Sequence, residues 1–351
     1  MTVTEQWIRE LPKTDLHCHL DGSLRVESIL EMADQQEVEL PADDPDKLRE
    51  ILVCGSHTRN LTDYLRGFDI TLKVLQTEEG LRRAAYELVQ DMASENVWYA
   101  EVRFSPILHT QKGLSLGRII ESVLEGLKEG EKQFGTRCTV ILCGMRNMDP
   151  AITRQLSELC VAYKYQGVVG FDLAGAEQGF PAKKHREAFY LVLNNNINCT
   201  IHAGESSGPE SIHQALHYCG AHRIGHGTHL KSDGDLLNYV NDHRVPLEIC
   251  LSSNLHTKAV DSIKNHPLRF YFDYGLRVTL NTDNRLMSDT NMTKELLLAS
   301  RELNFSENEI RDLIIFGFKS TFLHYRARVN LLNEALGRLS EIKTGAMEDK
   351  L

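Results

Sequence analysis

A closed barrel of eight parallel strands alternating with helices is the fold this sequence predicts, with extra helices after the first strand and at the C-terminal end. Three observations predict it. Eight short β-rich runs recur along 351 residues, with helix-patterned segments between them, and strand–helix alternation of that kind builds a parallel sheet. Eight such units in a chain of this length favour a (β/α)8 barrel over an open doubly wound sheet. The residues able to do chemistry gather at the C-terminal ends of the runs, the face on which such barrels carry their sites.

The runs are TDLHCHL (14–20), WYAEVRFS (98–105), TRCTVILCGM (136–145), GVVGFDLAG (167–175), NCTIHAGE (198–205), RIGHG (223–227), PLEICLSSN (246–254) and RVTLNTDN (277–284). Between them, SLGRIIESVLEGLKEGEKQF places Ile119, Ile120, Val123, Leu124 and Leu127 on one helical face, and PAITRQLSELCVAYKY and REAFYLVLNN carry a similar pattern. Residues 24–97 hold several helices instead of one. Within them, LTDYLRGFDITLKVL puts Leu61, Tyr64, Leu65 and Phe68 on one face; core packing is the first reading of that face, an apolar lid the second. After residue 290 the chain reads as helical to about residue 340, with Ser306 and Glu309 as a capping box. The whole of 1–351 reads as one domain, with 342–351 as a flexible tail.

Composition narrows the classes. Hydrophobic residues make 42% and charged residues 25%, with 9 Pro and 24 Gly, which excludes disordered and collagen-like chains. The net charge is −10, and Lys and Arg do not cluster, so neither nucleic acid nor an anionic membrane is the expected partner. The eight cysteines form no C-x-x-C pair and read as small buried hydrophobes of a reducing compartment. No signal-like or spanning apolar stretch occurs, so the expected location is the cytoplasm. The sequence leaves the oligomeric state open.

The first run ends His17-Cys18-His19-Leu20-Asp21. Alternate strand residues share a face, so both imidazoles point into the barrel mouth, half of a transition-metal site. The fifth run ends at His202 and Glu205, the sixth at His226, the eighth at Asp283-Asn284. His17, His19, His202 and Asp283 supply the three or four N/O ligands that a single metal with a water position needs. Glu205 and His226 remain as acid/base groups. The fourth run has no lysine to bridge two metals. Glu101 and Arg103 alternate on the second run and read as a buried structural ion pair. The remaining histidines, His266 among them, receive no role.

These pieces, LPKTDLHCHLDGSL, AEVRFSP, GFDLAGAE, IHAGE, RIGHGTH, CLSSN and LNTDN, resemble, in order and over about residues 10–335, the adenosine deaminase family of metal-dependent aminohydrolases. The resemblance implies a zinc-bearing (β/α)8 barrel that replaces the 6-amino group of a purine nucleoside with oxygen. It implies one zinc on His17, His19, His202 and Asp283, Glu205 as the acid protonating the purine ring, and His226 beside the water. Asp21 matches the contact to the ribose 5′-hydroxyl, with His19 near the sugar, and Gly175 matches the backbone donor to ring N3. Asn284 departs from the family, where a second Asp follows the ligand Asp and faces N7; an Asn amide can also donate there. CLSSN lacks the Pro that often follows the Cys.

The expected reaction is deamination of adenosine or deoxyadenosine to inosine or deoxyinosine and ammonia. In it, Glu205 serves as a burial-raised acid while His226 and Asp283 orient the water and take up its proton. A modified adenine nucleoside such as aminodeoxyfutalosine is the alternative substrate. A cyclic-amide or phosphoester hydrolase is the more distant reading, and it would want a second metal. The P-C-x-x-C motif of deaminases acting on DNA or RNA is absent.

Overall fold

The computed structural model describes residues 3–53 and 58–342. Its eight parallel strands are β1 (Lys13–His19), β2 (Val97–Phe104), β3 (Arg137–Met145), β4 (Val168–Ala174), β5 (Asn198–Ala203), β6 (Arg223–His226), β7 (Leu247–Ile249) and β8 (Val278–Leu280), ordered β1 to β8 around one sheet. The last gap closes beyond β8. Asp283 N donates to His17 O at 2.7 Å and His19 N to Asp283 O at 2.6 Å, a bridge that stitches the chain after β8 onto β1. The result is the (β/α)8 barrel expected from the alternation.

Two strands are shorter than their apolar runs suggest. Residues Leu251–His256 form a helix straight after β7, because a short continuous apolar run does not by itself distinguish a strand from a buried helix. The eighth run leaves strand geometry after Leu280, and Asp283 turns to φ 59. The helix Leu116–Phe134 buries Ile119, Ile120, Val123 and Leu127 as its period requires, with Leu124 at the margin. Ser306 and Glu309 form the capping box of the helix Glu307–Ser320.

The insertion after β1 holds helices Val26–Gln35, Pro45–Leu52, Leu61–Leu65, Phe68–Val74 and Glu78–Ser94. The face carrying Leu61, Tyr64, Leu65 and Phe68 spans two short helices and lines a cavity over the barrel mouth, although Tyr64 itself is buried. That face thus does both: Leu61 and Tyr64 are buried, with Tyr64 in the core, and all four residues line the cavity. The tail from residue 343 lies outside the described residues, whereas Ile342 is buried and accepts from Arg311. Seven cysteines are buried and free; Cys54 lies outside the described residues. Among the described residues, no helix is long and apolar enough to cross a membrane.

Candidate active site

Strand parity aims His17 and His19 into the barrel mouth, and the neighbouring strand ends bring the rest. The Nε2 atoms of His17 and His19 each lie 3.1 Å from Nε2 of His202. Asp283 Oδ1 lies 3.3 Å from His17 Nε2 and 3.4 Å from His19 Nε2. His17, His202, His226 and Asp283 also bring one donor atom each within 4.8 Å of one another. Gly225 makes the room: a Cβ there would meet the His17 ring at 3.1 Å. His226 and Asp283 sit in the left-handed region, at φ 65 and 59, a conformation that costs non-glycine residues energy and recurs where side chains are aimed for function.

Behind the imidazoles stand carboxylates that sequence reasoning missed. His17 Nδ1 lies 2.8 Å from Glu248 Oε2, and His202 Nδ1 lies 3.0 Å from Asp172 Oδ2. Arg103 joins both acids, 2.9 Å from each, and Arg223 joins Glu248 to Glu101. Glu101 and Arg103 are thus buried in an ionic network, as expected, but each pairs with other partners. Although burial opposes it, His202 and Arg103 hold Asp172 well below the usual carboxylate range, as Arg103 and Arg223 hold Glu248. The sequence signal was available: Asp172 and Glu248 are charges inside otherwise apolar strands.

This arrangement fits a metal cation. With carboxylates accepting from Nδ1–H of His17 and His202, both Nε2 atoms present lone pairs, turned on each other at 3.1 Å. Such a contact is repulsive unless a proton or a metal ion lies between them, and a carboxylate-backed imidazole is the usual form of a metal-ligating histidine.

Beside this cluster the cavity, about 370 Å3, reaches His19, Asp21, Gly175, Glu205, His226 and Asn284, a size suited to a small molecule. The metal, acid/base and substrate-contact candidates of the sequence therefore meet at one place; His17 does not line the cavity itself but lies 3.1 Å from His202, which does. Burial, and after it the charges of Asp283 and Glu177, push the Glu205 carboxyl up to about 8. Among the described residues, three buried oxygens at the cavity have no hydrogen-bond partner: Glu205 Oε1, Asp21 Oδ1 and Asn284 Oδ1. Buried polar atoms normally find partners, so these await a bound one. Asn284 packs against Gly22, where a Cβ would fall 1.9 Å from its Oδ1.

The adenosine deaminase family model matches residues 12–336. The chain belongs to the adenosine deaminase family. It is 39% identical over 340 residues to a probable adenosine deaminase of Dictyostelium discoideum, a match covering 97% of this chain but 44% of that longer protein. It is 41% identical over 349 residues to an adenosine deaminase of Mycobacterium sp. strain KMS, covering 95% and 96% of the two chains. Among solved structures, an adenine deaminase from Arthrobacter aurescens superposes with a TM-score of 0.88 at 27% identity, over 94% of this chain and 99% of that one. The family's metal dependence accords with the buried His/Asp cluster.

Proposed function

We propose that this protein is a zinc-dependent aminohydrolase that converts adenosine or deoxyadenosine to inosine or deoxyinosine and ammonia. The observation that carries the reading is Glu205: a carboxyl that burial pushes up to about 8, toward its protonated form, with an unpartnered oxygen in the same cavity as the histidine–aspartate cluster. An acid held in that state can give a proton to a ring nitrogen.

His17, His19, His202 and Asp283 would hold one zinc ion. Bound there, the ion would lower the pKa of water to about 7 and so supply a nucleophile at neutral pH. In this reading Asp283 takes a proton from the water as its oxygen bonds to C6, and Glu205 protonates N1 so that the ring accepts the electron pair. The amino group leaves as ammonia with the proton held by Asp283, and the new hydroxyl returns a proton to Glu205. Gly175, at φ 94 beside the cavity, offers its backbone N–H to N3, and the Asn284 amide faces N7.

Asp21 favours a nucleoside over a free base or a nucleotide. Its buried, unpartnered oxygen suits a sugar hydroxyl, leaves a free base nothing to bond there, and would repel a phosphate. A site built around such a hydroxyl rejects analogues lacking it by up to about 10⁴-fold. The test is ammonia release from adenosine, deoxyadenosine, adenine, AMP and aminodeoxyfutalosine, with elemental analysis of the same protein. Turnover of the first two with one zinc per chain is the expected result. Preference for adenine or AMP, inactivity on every nucleoside, or two metals per chain would overturn the reading.

A further inference from the structure

Behind His226 stands an amide instead of a carboxylate, and behind the amide a second histidine. Asn254, on the helix Leu251–His256, and His266, just before the helix Leu268–Tyr274, are both buried. The line they form starts at the main chain. Leu268 N donates to His266 Nδ1 at 3.0 Å; a backbone N–H has no acceptor role, so Nδ1 must accept. The imidazole is then neutral with its hydrogen on Nε2, and burial followed by the charge of Lys231 pulls its pKa down to about 3.

Direction then propagates. His266 Nε2–H donates to Asn254 Oδ1 at 3.1 Å, which leaves the Asn254 amide nitrogen facing His226 Nδ1 at 3.0 Å. That nitrogen can only donate, so His226 Nδ1 accepts and its hydrogen sits on Nε2, the side turned toward Glu205 and the cavity. Turning over the Asn254 amide would set its N–H against His266 Nε2–H. An imidazolium at His226 would set Nδ1–H against the Asn254 N–H.

We propose that His266, acting through Asn254, is a positioning residue that locks the hydrogen of His226 on Nε2, so that His226 meets the reacting water as a hydrogen-bond donor. This gives the two kinds of histidine opposite roles. Carboxylates behind His17 and His202 leave Nε2 lone pairs for a metal; the amide behind His226 removes it from the ligand set, although its Nε2 lies nearby. It also leaves the water's proton to Asp283 alone, where the sequence suggested a share for His226. His266, given no role in the sequence, becomes the anchor of the arrangement. The reaction assigned to the water rests on the proposed function; the proton placement does not.

The test is the tautomer itself, read by long-range 1H–15N correlation of histidine-labelled protein, metal-free and zinc-loaded, with His226→Gln for assignment. Wild type is expected to show a protonated Nε2 and a bare Nδ1 on His226 in both states. Asn254→Asp places a carboxylate against Nδ1 and reverses the tautomer. Its kcat falls by about 10²–10⁴-fold, the scale of a wrongly oriented imidazole, with zinc content kept and KM within about threefold. His266→Phe frees the amide and lowers turnover. His266→Gln, whose N–H still reaches Asn254 Oδ1, recovers most of it. A wild-type hydrogen on Nδ1, or a reversed tautomer in Asn254→Asp with undiminished kcat, overturns the proposal. Inactivity on every nucleoside would instead sink the functional reading, and the spectrum would still decide the tautomer.

Discussion

The carboxylate of Glu177 clasps the backbone of Glu205. Its two oxygens receive the N–H groups of Gly204 at 2.6 Å, Glu205 at 3.1 Å, Ser206 at 2.6 Å and Ser207 at 2.9 Å. The loop after β4 thereby fixes the loop after β5 and the acid it carries. Four hydrogen bonds onto one charged group, each worth about 1.5–3 kcal/mol, make this the anchor of the Glu205 position.

Glu177→Gln keeps one acceptor oxygen and turns an amide N–H on the remaining donors. It is expected to cost about 2–4 kcal/mol of stability and at least ~10-fold in turnover, with metal content unchanged because the ligands lie elsewhere. Thermal melts, kinetics and elemental analysis check it; an unaffected kcat would show that Glu205 holds its place without the clasp.

Glu205 should impose opposite pH signatures on activity and stability. As a proton donor with a pKa near 8, it makes kcat/KM fall as pH rises through about 8. Its folded pKa exceeds the unfolded value of about 4.3, so between the two the folded state binds more protons. Stability is therefore lost as pH rises across that window. Glu205→Gln removes both effects: turnover drops at least ~10²-fold, and the melting temperature exceeds wild type at pH 9 but matches it near pH 4. A variant less stable than wild type at pH 9 would contradict the burial argument.

Gly22 and Asn284 should behave as one unit. Gly22→Ala drives its methyl into the Asn284 amide, so it is expected to reproduce Asn284→Ala without touching substrate. Both should weaken adenosine binding by about 1–3 kcal/mol, the cost of an unpaired acceptor. Both should leave a 7-deaza analogue, which has no N7 acceptor, nearly unaffected. Equal damage to the two ligands, or loss of metal in Asn284→Ala, would instead assign Asn284 to bracing Asp283.

Arg103 holds the two acids behind His202 and His17. Arg103→Met leaves Asp172 and Glu248 facing each other without a cation between them. It should cost about 3–5 kcal/mol and weaken metal affinity about 10–100-fold, measured by chelator competition. Wild-type metal affinity in this variant would show that the carboxylates orient the histidines unaided.

Local pattern carried much of this protein. The strand–helix alternation specified the barrel, and H-x-H on one strand placed two imidazoles on one face because side chains alternate with a fixed period. The polar ends of the runs named the chemical groups that meet in the cavity. Where the pattern is degenerate it failed: LEICLSSN is apolar enough for a strand, yet the chain after Ile249 coils into the helix that carries Asn254. Only the tertiary structure decided which partner stands behind each histidine, since His17 meets Glu248 across 231 residues and His202 meets Asp172 across 30. Periodicity fixes which face a side chain occupies. The direction of a hydrogen bond, and with it whether an imidazole offers a lone pair or a proton, is set by groups that the closed barrel brings together from distant parts of the chain.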